Sequence, residues 1–185
     1  MARHLRRLRR LRHLTTGHHD CRHTGQDDCR PPAWPAHVWL GATAENQKWA
    51  DIRVPDLVQC KAAVHFISAE PLLGPIDLSP WLTSGGIDWV ITGGESGPRA
   101  RPTVPAWIRA LRDQSTEHDV AFHFKQWGHW APSVETNSTR VKTRQVDGGD
   151  GIPEVLKAVG KKAAGRSLDG KLWNGIPSCG NKEEA

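Results

Sequence analysis

The chain has 185 residues, 37% of them apolar and nine of them Trp, which suffices for one core of domain size. No run approaches the ~20 apolar residues that cross a bilayer, and the N-terminus lacks the apolar centre of a secretion signal. These features point to a cytoplasmic protein with no membrane partner, while the formal charge of +5 raises nucleic acid as a partner.

That charge is concentrated at one end. Residues 1–36 contain eight Arg and three Asp, whereas the 17 basic and 17 acidic residues that follow cancel. Leu5, Leu8, Leu11 and Leu14 recur every third residue, a step that drifts around a helix and leaves its apolar stripe loose. Three readings compete: an arm that grips nucleic-acid phosphates through residues 3–12, an Arg-rich targeting peptide, and a basic disordered leader with no function of its own. The abrupt change of composition after residue 36 favours the third. The cluster HHDCRHTGQDDC offers His18, His19, Cys21, His23 and Cys29, but its spacing matches no structural zinc pattern. No metal site is therefore expected, and Cys21, Cys29, Cys60 and Cys179 read as free thiols.

From residue 37 the pattern becomes regular. The β-rich runs HVWLGAT (37–43), AVHFIS (63–68), IDWVIT (87–92) and VAFHFK (120–125) read as strands. After the first comes NQKWADIRVPDLVQ, with Asn46 as N-cap, Trp49 and Ile52 on one face, and Pro55 restarting a second short turn. Ser79 and Pro80 open one or two helical turns after the second strand. After the third, Pro105 suits a first helical position, and Trp107, Ile108 and Leu111 make an apolar face. Residues 131–153 are polar and Gly-rich and read as a long surface loop, and residues 178–185 as a flexible tail. Lys161, Lys162 and Arg166 are either a phosphate contact or a solvated face.

Strands separated by helices imply parallel βα units, whose ligands sit at the strand carboxyl ends. The candidate ligand-binding residues there are Glu45 and Asn46 after the first strand, Glu70 after the second, Glu95 and Ser96 after the third, and Lys125 and Gln126 at the end of the fourth. Each has a plainer role available: a helix cap for Asn46, a turn for Glu70 before Pro71, a tight bend for Gly93 and Gly94. Together they put a polar group at the same end of every strand, which packing alone does not require. No catalytic residue is assigned.

The blocks WPAHVWLGATAENQKWADIRVPDLV, FISAEPLLGPIDLSPWL, DWVITGGESGPRARP, FHFKQWGHW and VGKKAAGRSLDGKLWNGIP resemble the phage gp-thirty-seven/gp-sixty-eight family of uncharacterised phage and bacterial proteins. Proteins of that family look like radical S-adenosylmethionine enzymes. The resemblance implies an α/β fold in which residues 37–177 form the C-terminal half of a TIM-barrel-like domain. For complete relatives it implies a four-iron four-sulfur cluster and S-adenosylmethionine. The three-cysteine motif is missing here, so no cofactor is expected in this chain. Two functional readings follow. The chain is either a truncated, iron-sulfur-free enzyme relative, inactive without its missing N-terminal half in trans, or a non-catalytic protein that binds a ligand or nucleic acid through the strand-end rim and the Arg-rich arm.

Overall fold

The computed structural model describes residues 34–35, 37–148 and 151–178. The Arg-rich segment up to residue 33, its His/Cys cluster and residues 179–185 lie outside the described residues, as do the expectations attached to them. The four apolar runs form β1 (Trp39–Thr43), β2 (Val64–Ala69), β3 (Trp89–Gly93) and β4 (Ala121–Gln126). They lie side by side in chain order and pair in parallel. A helix fills each crossover, as parallel neighbours require: α1 (Gln47–Val58), α2 (Ser79–Thr83) and α3 (Pro105–Glu117).

Local sequence explains most of each helix. Pro105 and Pro80 occupy the first positions of α3 and α2, where a missing N–H costs nothing. In α3, Ile108, Leu111 and Ser115 are buried at helical spacing. Helix α1 departs from expectation in two ways. It continues through Pro55 as one helix, forgoing a single backbone bond, and its buried face is Ala50, Arg53, Val54 and Leu57, with Ile52 exposed. Arg53 explains the rotation. Its Nη1 donates to the Thr43 carbonyl (2.7 Å) and hydroxyl (2.8 Å) at the end of β1, so a charged residue turns inward and carries its stem into the core.

Strands laid down in chain order by crossovers of one hand receive all their helices on one face. On that face Ile67, Ala69, Val90, Thr92 and Phe124 are fully buried. The alternate residues Trp39, Phe66, Trp89, Ile91 and His123 point the other way, and none of them is fully buried.

No closed barrel is formed among the described residues. The outer edge of β4 is occupied, because Phe124 N donates to Trp173 O (3.1 Å) and Gly175 N to Phe122 O (2.8 Å). The chain beyond β4 is also not the long loop expected for 131–153. It contains β5 (Trp130–Pro132), a single 3-10 turn at Ser133–Glu135, β6 (Thr143–Asp147) and β7 (Pro153–Ala158), an antiparallel sheet in the order β5-β7-β6. Its strands escape a hydrophobic pattern search because Leu156 is the only fully buried residue of β6 and β7. A short helix, α4 (Lys161–Ala164), follows. The architecture is thus mixed α/β, with one parallel and one antiparallel sheet.

Candidate functional site

The carboxyl ends of β1 to β4 bring some of the sequence-selected residues together and assign others to the scaffold. Asn46 caps α1, its Oδ1 accepting from Trp49 N at 3.4 Å. Glu45 accepts from Arg53 Nη1 at 3.0 Å and so completes the anchor of the same helix. Glu95 is held by Arg101 through Nε (2.8 Å), Nη2 (2.9 Å) and the backbone N–H (2.7 Å). The Arg101 side-chain hydrogen bonds, and then its backbone N–H, bring the Glu95 carboxyl down to about 2. Each of these two carboxylates therefore already has its own cation.

Glu70, Lys125, Gln126 and Ser96 are engaged with one another. Lys125 Nζ donates to Glu70 Oε2 at 3.1 Å, and Gln126 Nε2 donates to Ser96 Oγ at 3.1 Å. The Lys125 side chain is 56% exposed and that of Glu70 only 16%, so the amine faces solvent while the carboxylate is set into the surface. Gly93 explains the seat. A Cβ there would collide with Glu70 Oε1, so the glycine leaves room for the carboxylate to lie across the end of β3. Gly94 has a different reason: a Cβ would meet the Trp127 carbonyl, where the chain leaving β4 crosses it. Both glycines of the GGES turn thus lie against backbone, since a Cβ on Gly93 would also stand 3.2 Å from the Gln126 carbonyl, and Gly93 alone also faces Glu70.

Sequence reasoning missed His123 and Asn174 beside this pair, and weighed Arg166 only as a phosphate contact or a solvated face. His123 lies two positions before Lys125 in β4, just ahead of the irregularity at which Gly93 pairs with Gln126. Its ring titrates below the usual histidine range, because of burial first and then the Arg166 guanidinium, with Lys125 adding to the effect and Glu70 opposing it. His123 Nδ1 is buried and has no hydrogen-bond partner among the described residues. Asn174 forms an isolated antiparallel bridge with His123, and its Oδ1 accepts from Arg166. The alternation in Phe122-His123-Phe124-Lys125 was a usable signal for His123. Asn174 arrives from a distant segment of the chain and leaves no local trace, and nothing local ties Arg166 to this rim.

The rim thus offers one amine, one carboxylate, an imidazole held neutral, a guanidinium and several amides and hydroxyls. Among the described residues, no group of three or more His, Cys, Asp or Glu side chains is placed to hold a metal ion. No described helix is long and apolar enough to cross a membrane. A second concavity, of about 860 Å³, opens at the opposite, amino end of the parallel sheet among Ile87, Asp88, His118, Val120, Trp173 and Ile176. It contains none of the residues selected from the sequence.

No curated protein and no solved structure matches the chain. The family assignment read from the sequence blocks is corrected by a family model that matches residues 3–177, which belongs to an unrelated uncharacterised family and to neither the phage family nor radical S-adenosylmethionine enzymes. With that assignment fall the truncated radical enzyme and the cluster and S-adenosylmethionine it implied for relatives. The matched family is described as "Protein of unknown function (DUF5131)", and the chain belongs to it.

Proposed function

We propose that the protein binds a small anionic ligand at the carboxyl edge of the parallel sheet, with Lys125 as the principal cation and Glu70 as the group that orients it. The observation that carries this reading is the Glu70–Lys125 pair seated over Gly93, on the sheet face that the helices leave uncovered. A surface ion pair of this kind adds little to stability, about 0–1 kcal/mol. The amine has two further N–H groups to offer, Arg166 adds a second positive charge nearby, and Gln126 with Ser96 supplies neutral donors at the same level. Glu70 accepts a hydrogen bond from a hydroxyl or amine of the ligand and repels an anion that enters in the wrong orientation.

Isothermal titration calorimetry of the full chain with inorganic phosphate and with small carboxylic acids tests the reading. Lys125→Met is expected to weaken binding at least tenfold. Glu70→Gln is expected to change selectivity between ligands with and without a hydroxyl beside the anion. Binding that is indifferent to Lys125→Met would overturn the proposal.

A further inference from the structure

His123 stands among three charges brought by three segments of the chain. Lys125 follows it in β4, Glu70 leaves the end of β2, and Arg166 comes from the stretch after α4. All three act on the charge of its ring. Asn174 ties the last of them to His123, because its backbone bridges to His123 and its Oδ1 accepts from Arg166. From β3, Trp89 meets the imidazole edge-on (6.2 Å, 84°) and Ile91 is its partner in register, so that strand adds no charge.

Two cations and one anion leave a net positive charge around the ring, and positive surroundings oppose a further proton, as burial does. Nδ1 adds a third reason. It is buried with no hydrogen-bond partner among the described residues. An unpaired N–H of an imidazolium costs more there than an unpaired lone pair of the neutral ring, because a charged donor loses more on leaving water. What the ring lacks is a second negative charge beside Glu70. An oxyanion at Lys125 supplies it.

We infer that His123 is a further binding residue of the rim, and that an oxyanion held at Lys125 is taken up together with a proton on the His123 imidazole. This rests on the rim reading above and adds what accompanies the ligand. The proton comes from solvent, the lone pair of a ring nitrogen takes it, and the ring passes from neutral to singly positive. Linkage fixes the sign. In the free chain the ring titrates below the usual 6.5, and a nearby anion raises it. The anion therefore binds more tightly as pH falls from above the ring's titration in the bound chain toward its titration in the free chain. Below the latter both forms carry the proton, and the affinity levels off.

Sulfate is the probe, because it keeps the same charge throughout and takes up no proton of its own. Calorimetric titration of the full chain between pH 8 and pH 5 is expected to show its affinity rising at least about threefold as pH falls, since each pKa unit gained on binding is worth about tenfold. At pH 6, titrations in two buffers of different ionisation enthalpy are expected to show a net uptake of protons that His123→Gln removes. An NMR titration of the unsubstituted chain follows the ring itself: saturating sulfate is expected to raise its titration, and the same sulfate concentration to leave it unmoved in Lys125→Met. Lys125-dependent binding that ignores pH, or whose pH dependence survives His123→Gln, overturns the inference and leaves the rim reading intact. A ring that titrates alike with and without saturating sulfate does the same. Absence of Lys125-dependent binding of sulfate overturns the rim reading and this inference with it.

Discussion

The two faces of the parallel sheet are built from the same four strands, and they differ in what their side chains do. On the helix-covered face Ile67, Val90 and Phe124 are fully buried against α1 and α3. On the other face Trp39 and Phe66 pack on Trp89, and these three and Ile91 are only partly buried. Among the described residues, the helix-covered face therefore carries more of the core than the other face does.

The sharpest test of that contrast is to truncate an aromatic side chain on each face. Phe124→Ala is expected to cost about 3–5 kcal/mol, as removal of a fully buried ring does. Phe66→Ala is expected to cost less than about half of that, because less of its surface leaves water on folding. Urea unfolding with an unchanged m-value measures both, and equal losses would erase the distinction between the faces.

Gly93 gives a second test, at the point where the uncovered face meets the rim. Gly93→Ala is expected to cost about 1 kcal/mol, because the Glu70 carboxylate must move aside and the Gln126 carbonyl lies 3.2 Å from the new Cβ. Combining it with Glu70→Ala should recover at least about 0.5 kcal/mol, as expected for two residues in contact. Strict additivity would mean that Gly93 is required for some reason other than the seat of Glu70.

On the covered side, Arg109 and Arg112 of α3 converge on Asp169, at 2.9 Å and 2.6 Å. Burial pushes the Asp169 carboxyl up, but the hydrogen bonds from the two arginines outweigh it, and the net result lies below the usual value of 3.8. A carboxyl depressed in this way stabilises the fold above its ordinary value and loses that contribution as pH falls through the depressed one. Asp169→Asn is expected to cost about 0.5–1 kcal/mol at neutral pH, an amount reduced by the partial exposure of the pair. The gap from the unsubstituted chain should close in acid, below pH 3.8, and thermal unfolding across pH 2–6 would reveal it.

The smallest effect is expected at Glu95. Arg101→Ala should return its carboxyl from about 2 toward 4.5 in an NMR titration, while the unfolding midpoint at neutral pH stays nearly unmoved. If the carboxyl stays near 2, the Arg101 side chain is not what holds it down.

Much of this architecture was legible from residue types. Strand positions, the Asn46 cap and the prolines that open α2 and α3 follow from short-range rules, since β-branched and aromatic runs, a capping amide and a ring-locked φ act within a few residues. The common end of the strands followed from parallel topology. Legibility failed where a residue's role depends on a distant partner. Arg53 reads as a surface charge until the β1 carbonyl it binds is known. The strands of the second sheet bury too little to show a period.

The sequence by itself determined four parallel strands joined by three helices and a polar residue at the carboxyl end of each of those strands, because alternation, helix caps and crossover length are local properties of the chain. Only the tertiary structure decided which partner each of those polar residues takes. Arg53 and Arg101 claim Glu45 and Glu95, α1 claims Asn46, and Glu70 with Lys125 is left over Gly93 beside His123, Arg166 and Asn174. The physical reason is that a charge is committed by whichever opposite charge reaches it first at about 3 Å, and that distance is set by contacts between segments far apart in sequence.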